Sequence, residues 1–199
     1  MYKEPNIQSS YLINNKGIGE GDLYFKPNIG KTIYDFIIDT QPKIIVEFGV
    51  LYGFSTICMA QALRDLDNGG KIYAFDLWEK AKYNHGQTMQ MVVDNLNKFN
   101  LQNFVTLECS GDTECLEKIN NIDLIHIDIN NDGDSLKKMI QNIRVDNGIT
   151  CDILFEGGTL ERDNCWWMKK FNKKPINDVK KDFDYIVLNK NFPSISKCI

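Results

Sequence analysis

The chain is poor in histidine and proline, with two and five residues among 199, and it contains no long uninterrupted apolar run. Two histidines cannot build the mixed Cys/His ligand sets of structural zinc, and none of the six cysteines forms a C-x-x-C pair. No stretch approaches the roughly 20 apolar residues that a bilayer span needs. The opening MYKEPNIQSSYLINN lacks the basic-then-apolar pattern of a secretory leader. Positive charge is not in excess either: 23 basic against 27 acidic residues leave a formal charge of −4. That balance argues against nucleic acid or an anionic membrane as a partner. With Cys58, Cys109 and Cys151 inside apolar runs, where a reduced thiol acts as a small hydrophobe, a cytoplasmic location is expected.

What is present is a core. Apolar residues make up 43% of the chain, including 11 Phe, 8 Tyr and 3 Trp, more than a disordered chain carries. At this length one domain is the default. Short runs rich in Ile, Val and Phe read as strands covered on both faces: 44–48, 71–76, 104–109, 122–128 and 152–156. Helix-period stretches lie between them, such as Met89, Val92, Val93 and Leu96, or Leu136, Met139, Ile140 and Ile143. Residues 55–66 form another, and Ile33, Phe36 and Ile37 lead into the first strand. Strands alternating with helices predict an α/β, doubly wound, Rossmann-like sheet. Further strands are expected at 184–188 and 194–199, too close for a parallel crossover, so they should pair antiparallel. The expectation is seven strands, mostly parallel with one antiparallel near the C-terminus. A helix is expected over 160–172, with Arg162 solvated on its surface.

In an open α/β sheet, ligands bind beyond the carboxyl ends of the strands. Those ends are acidic here: Glu47, Asp76, Asp128 and Glu156, with Gly111 and Asp112 after the third strand. The first turn reads Glu47-x-Gly49-x-x-x-Gly53, with Leu51 where a dinucleotide fingerprint needs glycine. A phosphate-rich cofactor is disfavoured, while a nucleoside without phosphates fits. Asp76 stands 23 positions after Gly53, near the spacing at which a carboxylate takes ribose hydroxyls. His126 shares a strand face with Asp128 one layer deeper, so a hydrogen-bonded core histidine is its first reading and catalysis its second.

These residues together resemble class I S-adenosylmethionine-dependent methyltransferases over about residues 30–199. Leu124-Ile125-His126-Ile127-Asp128 is similar to the small-molecule O-methyltransferase branch that includes caffeoyl-CoA and macrocin-type enzymes. The resemblance implies a methyltransferase domain over 31–199, with residues 1–30 covering the pocket. It implies that Glu47 faces the methionine amino group, that Gly49 and Gly53 let the backbone pass beneath the cofactor, and that Ser55 meets the carboxylate. Asp76 would hold the ribose, Leu77 or Trp78 would lie against adenine, and Gly111 with Asp112 would border it. Asp128, Glu156 and His126 are the catalytic candidates, Asp128 first, and Asp128 also borders the cofactor.

In metal-dependent relatives, acids ending the fourth and fifth strands bind Mg²⁺. Here Asp128 and Glu156 would be the ligands, with Asp132 a further oxygen, although Gly157 leaves the fifth-strand pair half complete. Asn131 stands where many relatives have histidine, and His85 in the 78–88 loop is an alternative base. The expected reaction is methyl transfer to a hydroxyl of a small polar metabolite such as a sugar. The expected partners are that small molecule and a second copy of the chain, with neither nucleic acid nor membrane. Two readings stay open beside it: an NAD-dependent oxidoreductase on the same fold, and a non-catalytic nucleoside-binding subunit.

Overall fold

The computed structural model of the protein describes residues 1–7, 28–81, 86–111 and 113–199. The expected cover formed by residues 1–30 therefore falls largely outside the described residues, as do Asp112 and His85.

The first helix, α1 (Ile29–Thr40), buries Ile29, Ile33 and Ile37 on one stripe. It ends at Gln41, whose backbone turns left-handed and donates to the Ile37 carbonyl, and Pro42 then prevents continuation. β1 (Ile44–Phe48) is almost wholly buried, as a central parallel strand should be. Then follow α2 (Phe54–Leu66), β2 (Lys71–Asp76), α3 (Met89–Lys98), β3 (Val105–Cys109) and β4 (Leu124–Ile127). α4 (Gly133–Gln141) starts at Asp132, whose side chain accepts from the Ser135 N–H, and is extended by a π turn over Asn142–Asp146. β5 (Asp152–Glu156), α5 (Leu160–Asp163), α6 (Trp166–Lys170), β6 (Tyr185–Asn189) and β7 (Ile195–Cys198) complete the chain.

The seven strands form one sheet in the order β3-β2-β1-β4-β5-β7-β6. β1, β2, β3, β4 and β5 pair in parallel, and β7 runs antiparallel to both its neighbours, β5 and β6. The expected architecture is therefore the observed one. The chain leaves β1 toward β2 and β3, then returns to lay β4 on the other side of β1. That reversal opens a crevice at the carboxyl ends of β1 and β4.

Alternate residues feed two cores. Ile45, Ile72, Leu124 and Leu154 pack with α1, α2 and α3 on one face. Val46, Phe48, Ile125, Ile153 and Phe155 pack with α4 on the other, where Phe48 and Phe75 stack at 5.6 Å.

The helix expected over 160–172 is two short helices. Cys165 is extended (φ −63°, ψ 152°) between them, and the Asp163 carboxylate accepts from the backbone N–H of Ile176 and Asn177 at 2.9 and 3.0 Å. Two outside donors pin the end of α5, which a regular helix through this point could not satisfy. No helix among the described residues is long and apolar enough to cross a membrane.

Candidate functional site

The turn after β1 is held by its neighbours on both sides. Gly49 has φ +89°, and a Cβ there would lie 2.2 Å from the carbonyl oxygen of Asp128. Glycine is needed because the ends of β1 and β4 touch through backbone. On the other side, Asp76 Oδ2 accepts from the N–H of Val50 and Leu51, both at 2.8 Å, and Oδ1 accepts from the Trp78 N–H at 3.0 Å. The half-buried Asp76 thus ties the glycine turn to β2. Gly53, φ +85°, heads α2 with no capping side chain. Of the two candidate adenine contacts, Leu77 is 40% exposed. It packs within about 3.1 Å of where a Gly111 side chain would begin. Trp78 is fully buried behind the turn, its indole N–H donating to the Leu51 carbonyl at 3.2 Å.

Glu47 lies below this rim. It is fully buried, with Oε1 accepting from Ser55 Oγ and Oε2 from Thr56 Oγ1, both at 2.5 Å. His126 Nδ1 lies 3.1 Å from Oε1. A carboxylate is acceptor-only, so burial is tolerable when donors surround it, and α2 and β4 supply them. Ser55, only 3% exposed, is therefore a partner of Glu47 here. His126 is wholly enclosed, and its Nε2 has no hydrogen-bond partner among the described residues. It is a core histidine packed beside Glu47.

A four-residue cluster lies at the ends of β4 and β5. Asn131 Nδ2 donates to Asp128 Oδ1 at 2.8 Å and to Glu156 Oε1 at 3.0 Å. The same Glu156 oxygen accepts from Arg162 Nε at 2.8 Å and pairs with Nη2 at 2.7 Å. Arg162 is 2% exposed and lies 4.2 Å over the Trp167 ring. The expectation of a solvated Arg162 is thus corrected: α5 ends one residue later and turns the side chain inward. Burial works against the guanidinium charge, but Glu156 more than offsets it and raises its pKa above the usual arginine value. Asp128 itself is half-buried at the rim.

This donor set does not fit Mg²⁺. A hard cation needs carboxylate or carbonyl oxygens turned toward a common point. Here Asn131 presents its amide donors to both acids, and a guanidinium stands on Glu156. Asp132 is turned away, capping α4 and accepting from Lys173 Nζ at 2.8 Å. Among the described residues, no group of three or more His, Cys, Asp or Glu side chains could hold a metal ion.

The comparisons with known proteins bear on the family and the fold. Residues 46–155, just over half of the 199-residue chain, match the family model described as a methyltransferase domain. The chain belongs to this family. It is an S-adenosylmethionine-dependent methyltransferase. The methyltransferase is similar in fold to an S-adenosylhomocysteine-bound methyltransferase from Podospora anserina, with a TM-score of 0.58 and 16% identity over 85% of this chain and 76% of that one. It is similar as well to the O-methyltransferase TomG of Streptomyces achromogenes, solved with S-adenosylmethionine (TM-score 0.57, 12% identity, 92% of each chain). A methyltransferase from Geobacter sulfurreducens gives a TM-score of 0.57 at 12% identity, over 85% of this chain and 76% of that one. No match was found among curated protein sequences.

The methyltransferase's own residues fit the cofactor. Asp76 is half-buried and Leu77 exposed next to the glycine turn, and acidic strand ends suit a sulfonium cation. Sequence reasoning missed Thr56 as a partner of Glu47, the Asn131 bridge, and Arg162 as a buried cation. Hydroxyls at the start of α2 hinted at the first. Nothing in the periodicity of 160–172 signalled the break that buries Arg162.

Proposed function

We propose that the methyltransferase transfers the methyl group of S-adenosylmethionine to a hydroxyl on a small polar molecule, with sugars the first class to try, in the cytoplasm. The supporting observation is the contact of Gly49 with the Asp128 backbone, which brings the end of β4 against the glycine turn. When bound, S-adenosylmethionine supplies an electrophilic methyl and its own leaving group. The protein's task is then to position the acceptor and take its proton. Asp128 is half-buried and oriented by Asn131, so it can accept the hydroxyl proton as the oxygen bonds to the methyl carbon. Glu156 is unsuited to that role because Arg162 neutralises it. The cytoplasmic location is supported by six cysteines that are all free.

The test is S-adenosylhomocysteine release measured over sugar, phenol and amine acceptors. A hydroxyl acceptor should turn over, and Asp128→Asn should lower kcat by about 100-fold or more with cofactor affinity kept. Turnover of amines alone would overturn the hydroxyl assignment. Cofactor binding with no turnover of any acceptor would favour the nucleoside-binding subunit.

A further inference from the structure

Arg162 pairs with Glu156 through two of its nitrogens, and it is built in. Its backbone N–H caps on Thr159 Oγ1, its Nη1 reaches Cys165 Sγ at 3.5 Å, and Trp167 covers its face. A guanidinium cannot lose its proton at any working pH, so the positive charge is permanent. Two of its N–H groups and one from Asn131 converge on Glu156 Oε1, and Asn131 also donates to Asp128. A divalent ion bridging the two acids would have to displace both donors and share the space with a fixed like charge.

We propose that the guanidinium of Arg162 is the resident cation on Glu156, occupying the carboxylate that a divalent ion shared with Asp128 would need, so that methyl transfer here proceeds without a metal. The inference rests on the reading of Asp128 and Glu156 as the acceptor-side acids. It assigns Arg162 a positioning role: it holds Glu156, which holds Asn131, which orients Asp128. Because a guanidinium offers no exchangeable coordination position, the acceptor oxygen is not ligated, and its proton passes to Asp128 alone.

The test uses Mn²⁺ as the probe, followed by electron paramagnetic resonance on the full chain, so it needs no acceptor. Wild type should show no saturable site up to millimolar Mn²⁺. Arg162→Ala should gain a site at least about tenfold tighter than any in wild type, with a rise in its Tm on adding Mn²⁺. The double variant Arg162→Ala/Asp128→Asn should lose that site. A wild-type site that Asp128→Asn abolishes would overturn the proposal, as would a folded Arg162→Ala that gains none. If Arg162→Ala does not fold, the wild-type titration decides alone, in either direction. A failure to find any hydroxyl acceptor would sink the O-methylation reading and leave this result untouched.

Discussion

His126 Nδ1 faces Glu47 Oε1 at 3.1 Å across paired positions of β4 and β1, and neither side chain touches solvent. With Ser55 and Thr56 on the same carboxylate, the pair joins the start of α2 to the two strands that flank the crevice. The acid that the family resemblance places at the methionine amino group is enclosed by these three partners.

Removing that acceptor should be costly. Glu47→Leu strands three buried donors and should lower the unfolding free energy by about 3–5 kcal/mol. Glu47→Gln, which keeps one acceptor oxygen, should cost about 1–3 kcal/mol. Urea unfolding of both variants checks the order. Equal losses would show that packing, not hydrogen bonding, holds this layer.

Asp76 holds the turn, and its expected second task is the ribose. Asp76→Ala removes the acceptor for three backbone N–H groups and should reduce stability by about 1–3 kcal/mol. It should also weaken S-adenosylmethionine binding at least about tenfold, or 1.4 kcal/mol, by calorimetry. Undiminished affinity in a folded variant would confine the carboxylate to the turn.

Gly49→Ala should disturb both halves of the site. The new methyl would meet the Asp128 carbonyl at 2.2 Å from a backbone at φ +89°. A loss of more than about 1 kcal/mol is expected from the backbone conformation alone. Cofactor affinity and kcat should fall together, measurable on the same preparation. A variant with normal values would mean the β1 and β4 ends can separate freely.

Asp132 provides a pH signature distinct from catalysis. Burial raises its pKa, but Lys173 and the Ser135 N–H outweigh that and hold it below the ordinary carboxylate value. Its contribution is complete above the unfolded-chain value of about 3.9 and is lost as pH falls through the lower folded value. Asp132→Ala should therefore cost about 1 kcal/mol near neutrality. Its stability should converge on wild type as pH drops below about 4. A difference that stays constant into acid would remove the charge from the explanation.

Much of the fold was legible because it rests on periodicity. The runs at Ile44–Phe48, Lys71–Asp76 and Asp152–Glu156 are strands with those same bounds, since doubly covered strands must be continuously apolar. The acids closing β1, β2, β4 and β5 were legible too, as polar residues that end apolar runs. Their division of labour was not. Glu47, Asp76 and Glu156 look alike in the chain, yet one is enclosed by hydroxyls, one by backbone N–H groups and one by a guanidinium.

The chain's own pattern determined the strands, the helices facing them, the antiparallel return of β7 and the glycine turn, because each follows from local hydrophobic spacing and backbone sterics. Only tertiary structure decided that Asp163 would break the last helix and that Arg162 would swing in beside Glu156. Those outcomes depend on partners more than ten residues away or on another strand, where buried charges and donors must find each other in a medium of low dielectric. No local spacing rule encodes that pairing.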